Sequence, residues 1–109
     1  MGKAANSSIS LKQIHVTDNF WNKYVHLVKD VIIPYQWDIL NDKLEDVETS
    51  HCIENFKIAA GEKEGEFQGA VFQDTDVAKW LEAVGFVLNY ERDEKLEELA
   101  DETIELIGR

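Results

Sequence analysis

The chain is poor in cysteine, proline and basic residues, and each shortage excludes a class of protein. One Cys among 109 residues allows neither an internal disulfide nor a cysteine-rich zinc site. Only 11 Lys and Arg stand against 22 Asp and Glu, and the net charge of −11 disfavours binding to nucleic acid or to an anionic bilayer. No apolar run approaches the length of a membrane span. The first ten residues lack the features of a secretory signal, so we expect a cytoplasmic protein.

The residues that are present predict one small folded core. Hydrophobic residues make up 44% of the sequence, and 3 Trp, 3 Tyr and 5 Phe supply the bulky side chains that such a core needs. This composition excludes a disordered acidic tail. Ser, Asn, Ala and Gly dominate the start of the chain, so we expect residues 1–13 to be a flexible lead-in and residues 14–109 to form the domain.

Three helices are predicted in the first part of the chain. Asp18 is the expected N-cap of the first helix, and Pro34 should end it, because the residue before a proline disfavours helical geometry. Pro34 should then open a second helix. A third is expected from His51 to Ala60, ended by Gly61. The apolar positions that define the first two helices are Phe20, Trp21, Tyr24, Val25, Val28, Val31 and Ile32, followed by Trp37, Leu40 and Leu44.

Two more helices are predicted after a glycine-rich loop at residues 61–69. The fourth begins near Asp74 or Thr75, either of which could cap it, and the fifth begins at Asp93 and ends at Gly108. Their short connection predicts an antiparallel helical hairpin, and the whole pattern predicts an all-α fold. The expected inward residues are Val77, Trp80, Leu81, Val84, Val87 and Leu88, then Leu96, Leu99, Ala100, Thr103, Ile104 and Ile107.

Few residues carry an obvious chemistry. His51 and Cys52 are adjacent, but neighbours on a helix point about 100° apart, so Cys52 is expected to be a core residue and not a nucleophile. His15 and His26 lie far from His51 in sequence, and no carboxylate with ligand spacing accompanies them, so we expect no complete metal site in the chain. The segment from Phe72 to Asp76 combines an aromatic ring, an amide and two carboxylates at a helix start. Helix capping explains its polar end but leaves Phe72 and Gln73 unexplained.

Four segments resemble the amino-terminal end of glycoside hydrolase family 127, which contains β-L-arabinofuranosidases. They are DNFW at 18–21, VIIPYQW at 31–37, NFKIAAG at 55–61 and VFQDTDVAKWLE at 71–82. The similarity runs from about Ile14 to Ile107. It implies an N-terminal fragment of a longer protein, with the antiparallel helical hairpins forming the opening part of an (α/α)6 barrel.

The resemblance also implies a chemistry. Family members are retaining hydrolases that remove terminal L-arabinofuranosyl residues, using a zinc-bound cysteine as nucleophile and a glutamate as acid/base. Those residues are expected beyond Arg109, so no catalytic or metal residue is assigned in this chain, and zinc is implied only for the full-length enzyme. The expected substrate-binding residues are Phe72, Gln73 and Asp74, with His51 and Gln36 as lesser candidates.

One alternative stays open on the sequence alone. The chain could be a self-standing acidic helical protein that serves binding or assembly without catalysis. An incomplete barrel would also leave an apolar flank uncovered, so we expect the chain either to form a homo-oligomer through that flank or to show molten behaviour in solution. The isolated 109-residue chain is expected to be inactive.

Overall fold

The computed structural model describes residues 7–109, and all regular secondary structure in this part of the chain is helical, with no strand. The all-α prediction is confirmed. Two short 3-10 turns, Leu11–Gln13 and Val71–Gln73, precede the first and fourth helices. The longer elements, in order, are α1 Asn19–Leu27, a π turn Val28–Ile32, α2 Ile33–Leu40, α3 Cys52–Ala59, α4 Asp74–Tyr90 and α5 Glu94–Gly108.

The helix that starts at Asp18 does not end at Pro34, and that prediction is wrong. Asp18 caps α1 as expected, accepting a hydrogen bond from the Trp21 N–H at 2.6 Å. The helix then widens into the π turn, where the Ile33 N–H donates to the Val28 carbonyl, and Ile33 keeps helical angles of −61° and −49°. The wider turn gives the proline ring room, and Pro34 falls in the first turn of α2, where its missing N–H matters least.

The second helix is shorter than its apolar pattern indicates. It ends at Leu40, and Leu44 lies in the irregular segment that follows. Asp42 takes a left-handed φ of 55°, which a continuing helix does not allow. The predicted α3 is confirmed, and Gly61 ends it with a φ of 75°.

The core lies around α4, which α2, α3 and α5 all contact. Trp80 is 2% exposed, stacks on Trp37 at a ring distance of 4.6 Å and donates its indole N–H to the Ile33 carbonyl at 3.1 Å. This bond ties the middle of α4 to the start of α2. The buried hydrophobic residues are Ile33, Leu40, Cys52, Ile53, Val77, Trp80, Val84 and Ala100.

The fifth helix turns a different face to the core from the one expected at its end. Asp93 caps it through the Leu96 N–H, as predicted. Ala100 and Thr103 are buried, but Ile104 and Ile107 are 56% and 41% exposed, so their predicted inward position is wrong. Leu106 packs against the core in their place. No described helix lies beside the outer flank of α5 to cover the two isoleucines.

The helix α1 and the π turn contain no buried residue. The segment before α1 is anchored by the Val16 N–H, which donates to the Tyr90 hydroxyl at 3.1 Å, and Lys29 pairs with Glu91 at 3.3 Å. We call the exposed apolar residues here the ridge: Phe20, Trp21, Tyr24, Leu27, Val28, Val31, Ile32 and Tyr35.

The described chain is also extended for its length. Its radius of gyration is 17.3 Å, whereas a compact domain of this size has about 13 Å. No helix within residues 7–109 is long and apolar enough to cross a membrane.

Candidate functional site

The N-terminal ends of α3 and α4 lie against each other and gather most of the predicted site residues. The Cys52 thiol at the start of α3 contacts the Asp74 carbonyl at the start of α4 at 4.0 Å. Neither Asp74 nor Thr75 is the N-cap of α4, which corrects that prediction; Gln73 holds the cap position, and its side chain makes no capping hydrogen bond to α4. Instead, Thr75 donates its hydroxyl to the Phe72 carbonyl at 2.7 Å. The Asp74 carboxylate is therefore free of a capping role.

One oxygen of Asp74, Oδ1, is buried and has no hydrogen-bond partner among the described residues. A carboxylate oxygen withdrawn from water normally has a donor beside it, because an unpaired buried charge is costly. The favourable dipole at the start of α4 offsets part of this cost. This oxygen is thus an unsatisfied acceptor that solvent does not reach.

His51 is held in place by Asp42, a residue that the sequence did not indicate. The carboxylate of Asp42 accepts hydrogen bonds from the backbone N–H of Ser50 at 2.6 Å and of His51 at 3.0 Å. The His51 ring nitrogen Nδ1 lies 3.6 Å from Asp42 Oδ2. His51 itself has a left-handed φ of 56°, like Asp42. Two strained non-glycine residues that stabilise each other in this way are typical of functional sites.

Gln73 is oriented by the end of the glycine-rich loop. Its side-chain oxygen Oε1 accepts a hydrogen bond from the Ala70 N–H at 2.8 Å. Gly69 has a φ of 90°, and a Cβ atom there would collide with Oε1 and lie 3.8 Å from Cδ2 of His51. Gly69 therefore sits between the Gln73 amide and the His51 imidazole. The structure brings these two predicted residues together around it.

The remaining two predicted residues lie apart from this cluster. Phe72 is 68% exposed on the 3-10 turn before α4. Gln36, on α2, lines a groove of about 240 Å³ together with Asp76 and Lys79 from the first turns of α4. Asp76 and Lys79 form an ion pair at 3.1 Å on one wall of the groove. All the candidates thus border the start of α4, on two sides of it.

Sequence reasoning missed Asp42, Asn55 and Gly69. Asn55 is 6% exposed, and its side chain makes two hydrogen bonds to the backbone of Gln68. The available signal for Asn55 was a polar residue on a helix face that is otherwise apolar, since buried polar residues are uncommon. Nothing in the polar stretch around Asp42 distinguishes it from its neighbours. The cluster is rich in donors and acceptors for a hydroxylated ligand, and among residues 7–109 it contains no activated nucleophile.

Comparison with known proteins identifies the family. The family model of the β-L-arabinofuranosidase GH127 catalytic domain matches residues 13–109. The chain belongs to glycoside hydrolase family 127. It is 38% identical to the non-reducing end β-L-arabinofuranosidase of Bifidobacterium longum, over 88% of this chain and 16% of that protein. The crystal structure of a GH127 β-L-arabinofuranosidase from Geobacillus stearothermophilus T6 superposes with a TM-score of 0.83 at 58% identity, over 86% of this chain and 15% of that one.

The chain thus spans about one sixth of the length of the family members that it matches. The resemblance of the four sequence segments to GH127 is confirmed over nearly the whole described chain.

The residues present do not fit the zinc that this resemblance implies. Among residues 7–109, no three His, Cys, Asp or Glu side chains gather as a metal site would require. Cys52 is completely buried, and burial raises the pKa of its thiol from 9.0 to about 11, with the nearby Asp74 carboxylate adding to the shift. A metal ligand needs a thiolate, which this environment opposes. Cys52 is a core residue, as the sequence indicated.

Proposed function

We propose that the chain supplies the first helical hairpins of a GH127 catalytic domain that removes terminal L-arabinofuranosyl residues. The match of the family model to residues 13–109 carries this proposal. The acid/base glutamate and the zinc-bound cysteine nucleophile then come from the part of the family domain that this chain does not span. The role of these helices is to bind and orient the sugar.

The start of α4 is the surface that we propose faces the sugar. The side-chain oxygen of Gln73 already accepts a hydrogen bond from the Ala70 N–H. The N–H donors of the same amide therefore remain for the oxygen lone pairs of a sugar hydroxyl. The Asp74 carboxylate adjoins Gln73 at the same helix start, with its Oδ1 unpartnered and withdrawn from solvent. The exposed ring of Phe72 offers an apolar face to the sugar C–H groups. His51 and Gln36 extend the same border with further polar groups.

The exposed ridge supports the placement in an (α/α)6 barrel. Helical hairpins of such a barrel bury apolar faces against neighbours on both sides. No other helix of the described chain covers the ridge: Trp21 is 61% exposed and Val31 is 55% exposed. We propose that further hairpins of the catalytic domain cover it, which also accounts for the extended shape of the chain alone.

A second candidate is an acidic helical protein that functions by association. The ridge favours it, because contiguous exposed aromatic side chains mark interaction surfaces. A second copy of the chain could cover the ridge and give a homo-oligomer. Sedimentation measures this directly, with Trp21→Lys as the variant that removes the association and Phe86→Lys, at an exposed position on α4, as its control.

An assay for turnover of an aryl β-L-arabinofuranoside by the isolated chain shows whether the 109 residues are a complete enzyme, which neither candidate predicts. We expect no hydrolysis with or without added zinc, and the B. longum relative serves as the active control. Zinc-dependent turnover by the 109 residues alone would contradict the proposed division of the site. A stable dimer that binds no arabinofuranoside would favour the association candidate.

A further inference from the structure

Asn55 is the buried polar residue of α3, and its side chain is fully engaged by a single partner residue. Its Nδ2 donates to the Gln68 carbonyl at 2.8 Å, and its Oδ1 accepts from the Gln68 N–H at 3.1 Å. The two bonds resemble the pair of backbone hydrogen bonds that two facing residues of neighbouring strands exchange. They join two residues that are 13 positions apart in the sequence. They fix both the position and the rotation of one peptide segment in the glycine-rich loop.

That segment leads directly to the predicted site residues. The next residue, Gly69, lies between the Gln73 amide and the His51 ring, and the residue after it, Ala70, donates its N–H to Gln73 Oε1. At the other end, the Asn55 N–H donates to the His51 carbonyl at 2.8 Å. Asn55 therefore connects both sides of the cluster, through its side chain to the loop and through its backbone to His51.

We infer that Asn55 is a positioning residue: by holding Gln68 it places Gly69 and Ala70 so that the Gln73 amide and the His51 ring keep one relative orientation. The inference rests on the proposed function in one respect only: that function is the reason why the orientation of the two groups matters. The geometry can be tested without any sugar. Without Asn55, the loop loses its two anchors, the Ala70 N–H leaves Gln73 Oε1, and the amide becomes free to turn over.

The test is heteronuclear NMR of the complete 109-residue chain carrying Asn55→Asp, which keeps the size of the side chain but cannot donate to the Gln68 carbonyl. Amide hydrogen exchange at Ala70 is expected to become about tenfold faster because the loop loses its anchor at the Gln68 carbonyl, whereas the Gln68 N–H keeps an acceptor in the aspartate. The side-chain amide signals of Gln73 and the ring signals of His51 are expected to shift. Gly69→Ala, which disturbs the same contact from the loop side, is expected to shift the same two sets of signals.

Asn41→Ala is the matched control, because Asn41 also donates its side-chain amide to a backbone carbonyl, that of Trp37, at 2.9 Å. It should leave the signals of Gln73 and His51 unchanged. If Asn55→Asp speeds exchange in the loop but those signals stay in place, Asn55 is merely structural and the inference is wrong. The inference is equally wrong if the variant unfolds and Gly69→Ala leaves both sets of signals unmoved. A subsequent titration with L-arabinose tests the proposed function separately.

Discussion

Replacing Trp80 with Phe removes the bond that ties α4 to the start of α2. The indole N–H donates to the Ile33 carbonyl in a site where both residues are at most 2% exposed, so the carbonyl is left without that donor. The lost bond costs about 1 kcal/mol. The smaller ring also leaves a void beside Trp37, which adds about 1–2 kcal/mol. We therefore expect Trp80→Phe to lower the free energy of unfolding by about 2–3 kcal/mol.

Urea unfolding followed by far-UV circular dichroism measures this effect. Trp21→Phe is the matched control: it is the same substitution at a side chain that is 61% exposed, where we expect a change within about 0.5 kcal/mol. In thermal unfolding, Trp80→Phe should lower Tm by roughly 10 °C. Equal urea midpoints for the two variants would refute the assignment of Trp80 to the centre of the core.

Three further predictions concern the loops and the buried thiol. Gly69→Ala should lower the free energy of unfolding by about 1–3 kcal/mol, because Gly69 has a positive φ and a Cβ atom there would collide with Gln73 Oε1. Gly85→Ala, in open space on α4, should instead raise it by about 0.5–1 kcal/mol. Urea midpoints measure both changes. Asp42→Ala should cost about 2 kcal/mol, since two backbone N–H groups lose a charged acceptor, and Asp38→Ala should change stability by less than about 1 kcal/mol in the same assay. The pKa of Cys52 is raised from 9.0 to about 11, so its stabilisation is complete below pH 9 and is lost as pH rises toward 11; the wild type should lose more stability than Cys52→Ala over that range, and equal losses would contradict the raised pKa.

The periodic parts of the fold were predictable, and its exceptions have local causes. The stripe of α4 and the Asp93 cap of α5 follow directly from residue spacing. Pro34 was misread because a proline normally ends a helix, and a preceding π turn that accommodates it leaves no mark in the apolar spacing. Ile104 was placed inward because periodicity finds an apolar face but not whether a neighbouring helix covers it.

The candidate site was predictable only where its residues stand in one segment. Gln73 and Asp74 could be indicated as candidates because they stand at the start of a strong helix. Their relation to His51 depends on the left-handed turn at Gly69 and on the pairing of Asn55 with Gln68, which join segments 13 or more positions apart. Local spacing contains no information about such a pairing.

A chimera tests the central claim most directly. Residues 13–109 replace the matching segment of the Geobacillus stearothermophilus enzyme, to which this chain is 58% identical, and hydrolysis of an aryl β-L-arabinofuranoside is measured. We predict that the chimera hydrolyses the glycoside and that Gln73→Ala within it raises KM more than it lowers kcat. A chimera that folds like the parent enzyme but shows no hydrolysis would contradict the account.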